Sequence, residues 1–119
     1  MCATLIEHIE DVFLNSFCFG FRLVSNDYDP LFLSYYFNSV IGRKLMYTLA
    51  QGATRYNLSK SNFEDTVVVI PDKEEQTAIA LVLSEMENAI IQTEQKLSKT
   101  RRIKYGMMQQ LLTGKIRLT

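Results

Sequence analysis

One long helix is the feature of this sequence that most limits what the chain can fold into. Residues 74–112 contain no proline, and their only glycine is Gly106. Asp72 lies just before this stretch, and Glu75 lies three residues after Asp72, which is the spacing of a capping box. Gly114, just beyond the stretch, is suited to the left-handed conformation that closes a helix. We therefore predict a single helix over residues 74–112, about 58 Å long at ~1.5 Å per residue.

Apolar side chains recur along this helix with the seven-residue period of a coiled coil. The pattern alternates steps of four and three residues, which places its members in one narrow stripe, here named the seam. So narrow a stripe is typical of a helix that pairs with another long helix, not of one that lies on a globular core. The chain has no second long helix, so we predict a homodimer through the seam. The predicted interface residues are Ile79, Leu83, Met86, Ile90, Leu97, Met107 and Leu111.

Charge is divided along the same helix. Residues 74–95 carry five acidic side chains and no basic one, whereas residues 96–119 carry seven basic side chains and no acidic one. This gradient complements the helix dipole, which is sufficient to explain it. It also favours antiparallel pairing of two copies, because that orientation sets the acids of one helix against the bases of the other. At the level of sequence, both interpretations stay open.

Composition and cysteine content bound the class of protein. With 47% hydrophobic residues in 119, the chain is not expected to be disordered. Cys2 and Cys18 make neither a disulfide framework nor a CxxC metal pair, so we predict a reducing, intracellular location, the cytoplasm. No stretch has the length and apolarity of a transmembrane span or the pattern of a signal peptide, and no membrane association is predicted.

Two stretches before the long helix have the composition of strands. Phenylalanines alternate with other residues over residues 17–24, which predicts a strand with one face on a core. Residues 66–70 form a β-branched run, which predicts a buried strand. Between them, Asp29 and Pro30 predict a helix start, with Asp29 as the cap and Pro30 at the first helical position.

One polar stretch concentrates hydrogen-bond donors. Residues 51–60 contain threonine, arginine, asparagine, serine and lysine, which contact phosphates, and arginine and asparagine also read base edges. Two further basic side chains are predicted on the outward face of the helix that follows Gly42. The candidate DNA ligands are Arg43, Lys44, Thr54, Arg55, Asn57, Ser59 and Lys60. The alternative is an ordinary loop capped by Ser59 or Asn57, which the residue types alone favour.

No catalytic constellation is found in the sequence. His8 is the only histidine and has no nearby nucleophile or ligand partner. All five glycines are isolated, so there is no phosphate-binding loop. We therefore predict no catalytic residues, no metal site and no cofactor, and a chain that is not an enzyme on its own.

Two motifs, and the distance between them in the sequence, resemble those of a known family. The first is GATRYNL at residues 52–58, followed by the β-branched run that ends in Ile70-Pro71 and by Glu75-Gln76. The second is LLTGKIR at residues 111–117, which ends the long helix. Together they resemble the specificity (S) subunit of type I restriction–modification enzymes, over about residues 17–118.

This resemblance implies a function and a set of partners. A specificity subunit has two tandem repeats, each a target-recognition domain that reads half of a split DNA site, followed by a long helix. The two helices pair antiparallel and dock the methyltransferase subunits, and the specificity subunit has no catalysis of its own. Our chain resembles the latter part of one repeat. The expected partners are double-stranded DNA, methyltransferase (modification) subunits and a second copy of this chain.

The fold class predicted from these observations is α+β. Residues 1–72 are expected to form a small, incomplete recognition domain with few strands, and residues 73–119 a long coiled-coil helix. The expected function is DNA target recognition in a type I restriction–modification complex, with methyltransferase and nuclease subunits positioned on DNA. The alternative is an assembly module derived from a truncated specificity subunit, which dimerises without reading DNA.

Overall fold

A computed structural model describes residues 2–7, 9–51 and 57–118, with the side chains of residues 51 and 57 excepted. It divides into two compact units, Met1–Leu81 (unit 1) and Val82–Thr119 (unit 2), and the last helix contributes to both. The elements in chain order are α1 Pro30–Asn38, α2 Val40–Leu49, β1 Ala50–Gln51, β2 Asn57–Leu58, α3 Lys60–Glu64 and α4 Lys73–Leu112.

The α+β prediction is wrong, because the described chain is mainly helical. Its described strands, β1 and β2, are two residues each and pair antiparallel, with Ala50 opposite Leu58. Residues 17–24 and 66–70, both predicted as strands, have no strand partner in the described part of the chain. Aromatic and β-branched residues favour a strand only where a neighbouring strand and a packing surface are available. Both segments therefore remain outside a sheet.

The core of unit 1 is small and lies between α1 and the first turns of α4. Phe32, Leu33 and Phe37 of α1 are buried together with Ala80 of α4. Ile79 packs against this cluster and is half-buried, so the first residue of the predicted seam belongs to the edge of the core. The core thus fixes the N-terminal turns of the long helix.

Helix α1 begins as the sequence predicts. Oδ1 of Asp29 accepts hydrogen bonds from the N–H groups of Leu31 and Phe32, at 3.0 Å each. Pro30 occupies the first turn, where its missing N–H costs nothing. The N-cap assigned to Asp29 is therefore confirmed.

Helices α1 and α2 approach each other closely at Gly42. The break between them is at Ser39, whose Oγ accepts a hydrogen bond from the Gly42 N–H at 3.2 Å, and Gly42 itself is buried within α2. A Cβ on Gly42 would lie 2.1 Å from the carbonyl oxygen of Tyr36 and 2.6 Å from the Cα of Phe37. Gly42 therefore permits a close contact between α1 and α2 and lies inside α2, so the two helices are separated at Ser39 and not at Gly42.

Both ends of α4 have the predicted caps. Oδ1 of Asp72 accepts a hydrogen bond from the Glu75 N–H at 2.9 Å. At the other end Gly114 has a φ of 71° and donates its N–H to the Leu111 carbonyl at 3.1 Å. The helix therefore ends where predicted and begins one residue earlier, at Lys73.

Gln76 ties the start of α4 to the start of α1. Its side chain is only 2% exposed, and its Oε1 accepts a hydrogen bond from the Asp29 N–H at 2.9 Å. Its Nε2 donates to the carbonyl of Pro71 at 2.8 Å. A buried amide is stable only when such partners are present, so Gln76 specifies one arrangement of these two helix ends.

The carboxylate of Asp29 gathers further partners from α4. The Lys73 ammonium lies 3.6 Å from Oδ2, and the Thr77 hydroxyl donates to the same oxygen at 3.2 Å. Burial by itself raises the pKa of Asp29, but the Phe32 N–H, the Lys73 charge, the Thr77 hydroxyl and the Leu31 N–H together hold this pKa below its ordinary value. The ionised form of Asp29 is therefore favoured in the folded chain.

We expect the stability of unit 1 to fall in acid through Asp29. Because the folded pKa is lowered, the contribution of this carboxylate is fully present above its unfolded pKa of about 3.9 and is lost as the pH falls through the folded pKa. Asp29→Asn keeps a capping oxygen and removes the charge. In urea unfolding, the free energy of unfolding should be higher for the wild type than for this variant at neutral pH. The difference between them should narrow as the pH falls below the unfolded pKa of Asp29 and through its lower folded pKa. A gap that is constant with pH would contradict this role.

Candidate nucleic-acid interface

Helix α2 carries the first two candidate DNA ligands. Arg43 and Lys44 are both exposed and stand about 100° apart around the helix, since an α-helix has 3.6 residues per turn. Within the described residues neither makes an ion pair. Both cations are thus available to a phosphate.

The β1–β2 pair brackets the centre of the predicted loop. Its register sets Gln51 opposite Asn57, so the backbone of Asn57 is held in β2. Thr54 and Arg55 lie outside the described residues, and the structure does not describe the Asn57 side chain. Their roles as DNA ligands stay predictions.

Ser59 and Lys60 begin α3. Oγ of Ser59 accepts a hydrogen bond from the Asn62 N–H at 3.4 Å and caps this helix, as one of the two interpretations of the sequence expected. Nζ of Lys60 lies 3.6 Å from Oε1 of Glu64 in an exposed i,i+4 pair. Such pairs contribute only ~0.3–0.5 kcal/mol, so this one leaves Lys60 free to exchange Glu64 for a phosphate.

The candidate residues therefore flank a single antiparallel pair. Helix α2, with Arg43 and Lys44, runs directly into β1, and β2 is followed by Ser59 and Lys60 at the start of α3. Because Ala50 and Leu58 are paired, the C-terminal end of α2 and the N-terminal end of α3 meet at the same end of the pair. The two described groups of candidate residues thus lie on the helices that precede and follow this pair, with Arg43 and Lys44 in the first turns of α2 and Ser59 and Lys60 at the start of α3.

An aromatic groove beside Lys60 was missed by sequence reasoning. Phe63 of α3 packs on Phe19 and Phe21, with ring centroids 5.4 and 5.3 Å apart. Together with Phe37 these rings line a groove of about 270 Å³, which Lys60 also borders. The alternation of phenylalanines pointed to packing, but nothing in the sequence pairs residues this far apart.

The seam of α4 is the second candidate surface. Leu83, Met86, Ile90, Leu97 and Met107 are all exposed in the described chain, and Ile90 is 59% exposed. Leu111 is half-buried. An exposed apolar row at coiled-coil spacing is typical of a surface that another helix covers.

Comparison with known families decides the class of the chain. A family model described as the type I restriction modification DNA specificity domain matches residues 3–100. The chain belongs to this family. The resemblance inferred from the two sequence motifs is thereby confirmed, and the matched residues of this specificity domain include all seven candidate DNA ligands. No solved structure matches the chain.

Membership of the specificity-domain family carries several general properties. The family is the non-catalytic part of type I restriction–modification systems, and it implies DNA binding and association with the other subunits of the complex. Across residues 2–7, 9–51 and 57–118, no group of three or more His, Cys, Asp or Glu side chains is placed to hold a metal ion. No helix in the described part of the specificity domain is long and apolar enough to cross a bilayer.

Proposed function

We propose that this specificity domain recognises a DNA target for a cytoplasmic type I restriction–modification complex and positions methyltransferase and nuclease subunits on that DNA. The observation that carries the proposal is the family match over residues 3–100. The chain itself supplies recognition and assembly, and its partners supply the chemistry. Residues 1–72 act as the recognition part and residues 73–119 as the helix for pairing and subunit docking.

Recognition is assigned to the residues around the β1–β2 pair. Arg43, Lys44 and Lys60 are exposed cations on the helices that precede and follow the β1–β2 pair, which suits them to phosphate contacts that set the register on DNA. Arg55 and Asn57, with Thr54 and Ser59 beside them, are assigned to base reading, because arginine pairs with guanine and asparagine with adenine in the major groove. What supports this division is the exposure of the described cations and the chemistry of the side chains.

Assembly is assigned to α4, through antiparallel pairing of two copies along the seam. The exposed apolar row from Leu83 to Met107 supports a helical partner, and the split of charge along the helix supports the antiparallel direction. Methyltransferase subunits are then docked by the paired helices. The same exposed seam favours the second candidate function, an assembly module that no longer reads DNA.

Salt dependence separates the two candidate functions. Contacts to phosphates release counterions, so DNA affinity falls steeply as salt rises. Pairing through an apolar seam lacks this dependence. Retention of the chain on DNA at low salt, lost at moderate salt, supports recognition; a dimer with no DNA retention at any salt supports the assembly module.

Replacing Arg55 with alanine is expected to weaken DNA binding by ~1–3 kcal/mol, roughly 5- to 150-fold, if Arg55 reads a base with two hydrogen bonds. The measurement is fluorescence anisotropy on target DNA, with the chain assembled with its methyltransferase subunits. Arg22→Ala is the matched control, because Arg22 is an exposed arginine of unit 1 outside the candidate set. Equal affinities for both variants would remove Arg55 from the interface.

A further inference from the structure

Helix α2 has an exposed apolar patch on the side that faces away from the core of unit 1. Gly42 is buried and Met46 and Leu49 are half-buried, so they mark the inward side, and Met46 packs against the core. Val40 and Tyr47, here named the α2 patch, lie on the outward side and are 86% and 69% exposed. Seven residues apart, they stand only about 20° from each other around the helix. The two side chains therefore share one face.

Two cations border the α2 patch, one on each side. Counted from Val40, Lys44 stands about 40° around the helix in one direction and Arg43 about 60° in the other. Both are exposed, and neither makes an ion pair with any residue that the structure describes. An apolar strip between two cations suits a helix that lies in a groove between two rows of phosphates.

The sequence around α2 is also poor in acidic side chains. Residues 30–63 contain Arg43, Lys44, Arg55 and Lys60 and no aspartate or glutamate, although the whole chain has 13 of these acids. None of the four cations belongs to α4, to which pairing and subunit docking are assigned. In a chain whose net charge is zero, this segment is complementary to a polyanion.

We propose that α2 lies in the major groove of the target DNA and that Val40 contacts the 5-methyl group of a thymine there. The major groove is about 12 Å wide and admits an α-helix. Where a helix reads DNA in this way, its N-terminal residues contact the base edges, and Val40 is the first residue of α2. Apolar side chains read thymine through its methyl group. Arg43 and Lys44 then contact phosphates on the two sides of the groove.

This inference rests on the proposed function, and a protein surface is the competing occupant of the α2 patch. The test pairs a change in the protein with the matching change in the DNA. The probe is the duplex that the chain, assembled with its methyltransferase subunits, selects from a randomised library. Each thymine of the selected site is replaced in turn by deoxyuridine, which lacks only the 5-methyl group. Fluorescence anisotropy measures the affinity for each duplex.

Wild type, Val40→Ala and Val67→Ala are compared on these duplexes. Val67 supplies the matched control, because it is an 89% exposed valine of unit 1 that lies outside α2. One deoxyuridine should weaken wild-type binding about fourfold, the value for one buried methyl group. Val40→Ala should bind the thymine duplex about 4- to 15-fold more weakly, since it loses two methyl groups, and should not respond to that deoxyuridine. Val67→Ala should match the wild type on both duplexes.

Equal affinities of Val40→Ala and Val67→Ala for the thymine duplex would overturn the inference. A deoxyuridine effect that is absent from the wild type, or that Val40→Ala retains in full at every thymine, would also overturn it. Unchanged DNA affinity of Val40→Ala with loss of methyltransferase subunits on co-purification would assign the α2 patch to a protein partner. A wild-type complex that selects no sequence refutes the proposed function and this inference with it. Weakening by Arg55→Ala and not by Val40→Ala refutes this inference alone.

Discussion

Replacing Ile90 and Leu97 with glutamate is expected to turn a dimer of this chain into a monomer. Burial of an Ile or Leu side chain contributes ~1.5–3 kcal/mol when it is complete. Ile90 and Leu97 are about half exposed in the single chain, so pairing can bury about half of each side chain. A symmetric dimer contains each of these side chains twice. The loss is therefore roughly 3–6 kcal/mol, or about 10²- to 10⁴-fold in the dissociation constant, before the cost of placing charges in the interface.

The measurement is mass in solution by light scattering at tens of micromolar protein. The matched control is Ile91→Glu with Ile103→Glu, because these isoleucines of the same helix are also about half exposed but lie outside the seam. The seam is supported as the dimer interface if the control remains dimeric and the seam variant is monomeric. A wild type that is already monomeric refutes the dimer.

We expect charge to set the direction of pairing in the proposed dimer. Antiparallel helices set the five acids of residues 74–95 against the seven bases of residues 96–119, twice over. Each exposed pair contributes only ~0.2–1 kcal/mol, but all of them favour the same orientation. With Cys2 and Cys18 replaced by serine, chains carrying Leu83→Cys should crosslink to chains carrying Met107→Cys. Efficient crosslinking within either variant alone would show parallel pairing.

Replacing Gly42 with alanine is expected to destabilise unit 1 by ~1–3 kcal/mol or more. The added Cβ would lie 2.1 Å from the Tyr36 carbonyl oxygen and 2.6 Å from the Phe37 Cα, and both of these are backbone atoms. Backbone cannot move aside as a flexible side chain can, so α1 and α2 must separate and disturb the buried Phe37. Urea unfolding followed by circular dichroism measures the loss.

Gly106→Ala is the matched control for this experiment. A Cβ at Gly106 meets nothing within 4 Å, and Gly106 lies inside α4. Alanine there should stabilise the helix by ~0.5–1 kcal/mol, because glycine loses more backbone entropy on folding. The same substitution is thus expected to have opposite signs at the two sites. Stabilisation at both would show that α1 and α2 do not depend on their close contact.

Local signals in the sequence were sufficient for the start of α1 and for both ends of α4. The caps at Asp29 and Asp72 and the stop at Gly114 depend on hydrogen bonds and dihedral angles within a few residues, and all three were predicted. The predicted strands over residues 17–24 and 66–70 failed because a strand depends on a neighbour, which residue composition does not supply. Residue propensity is informative for a helix, because a helix satisfies its own backbone hydrogen bonds. It is not sufficient to predict a strand, because the hydrogen bonds of a strand need a neighbouring strand.

In the candidate site, too, the local features could be predicted from the sequence and the long-range contacts could not. The exposure of Arg43 and Lys44 followed from the helical pattern, and the cap at Ser59 followed from residue type. The contact of Phe63 with Phe19 and the burial of Gln76 against Asp29 join residues more than 40 positions apart. A single sequence contains no local signal for such contacts, since they depend on how elements pack.

The anchoring of Lys73, Gln76 and Ala80 in unit 1 has a consequence for how the long helix forms. The first turn of a helix is unfavourable, because several dihedral angles are fixed for one hydrogen bond, whereas each later residue adds a bond at little cost. In this chain the tertiary contacts of unit 1 hold that first turn in place. We therefore expect the part of α4 in unit 2 to extend a helix whose first turn is already held in place by unit 1.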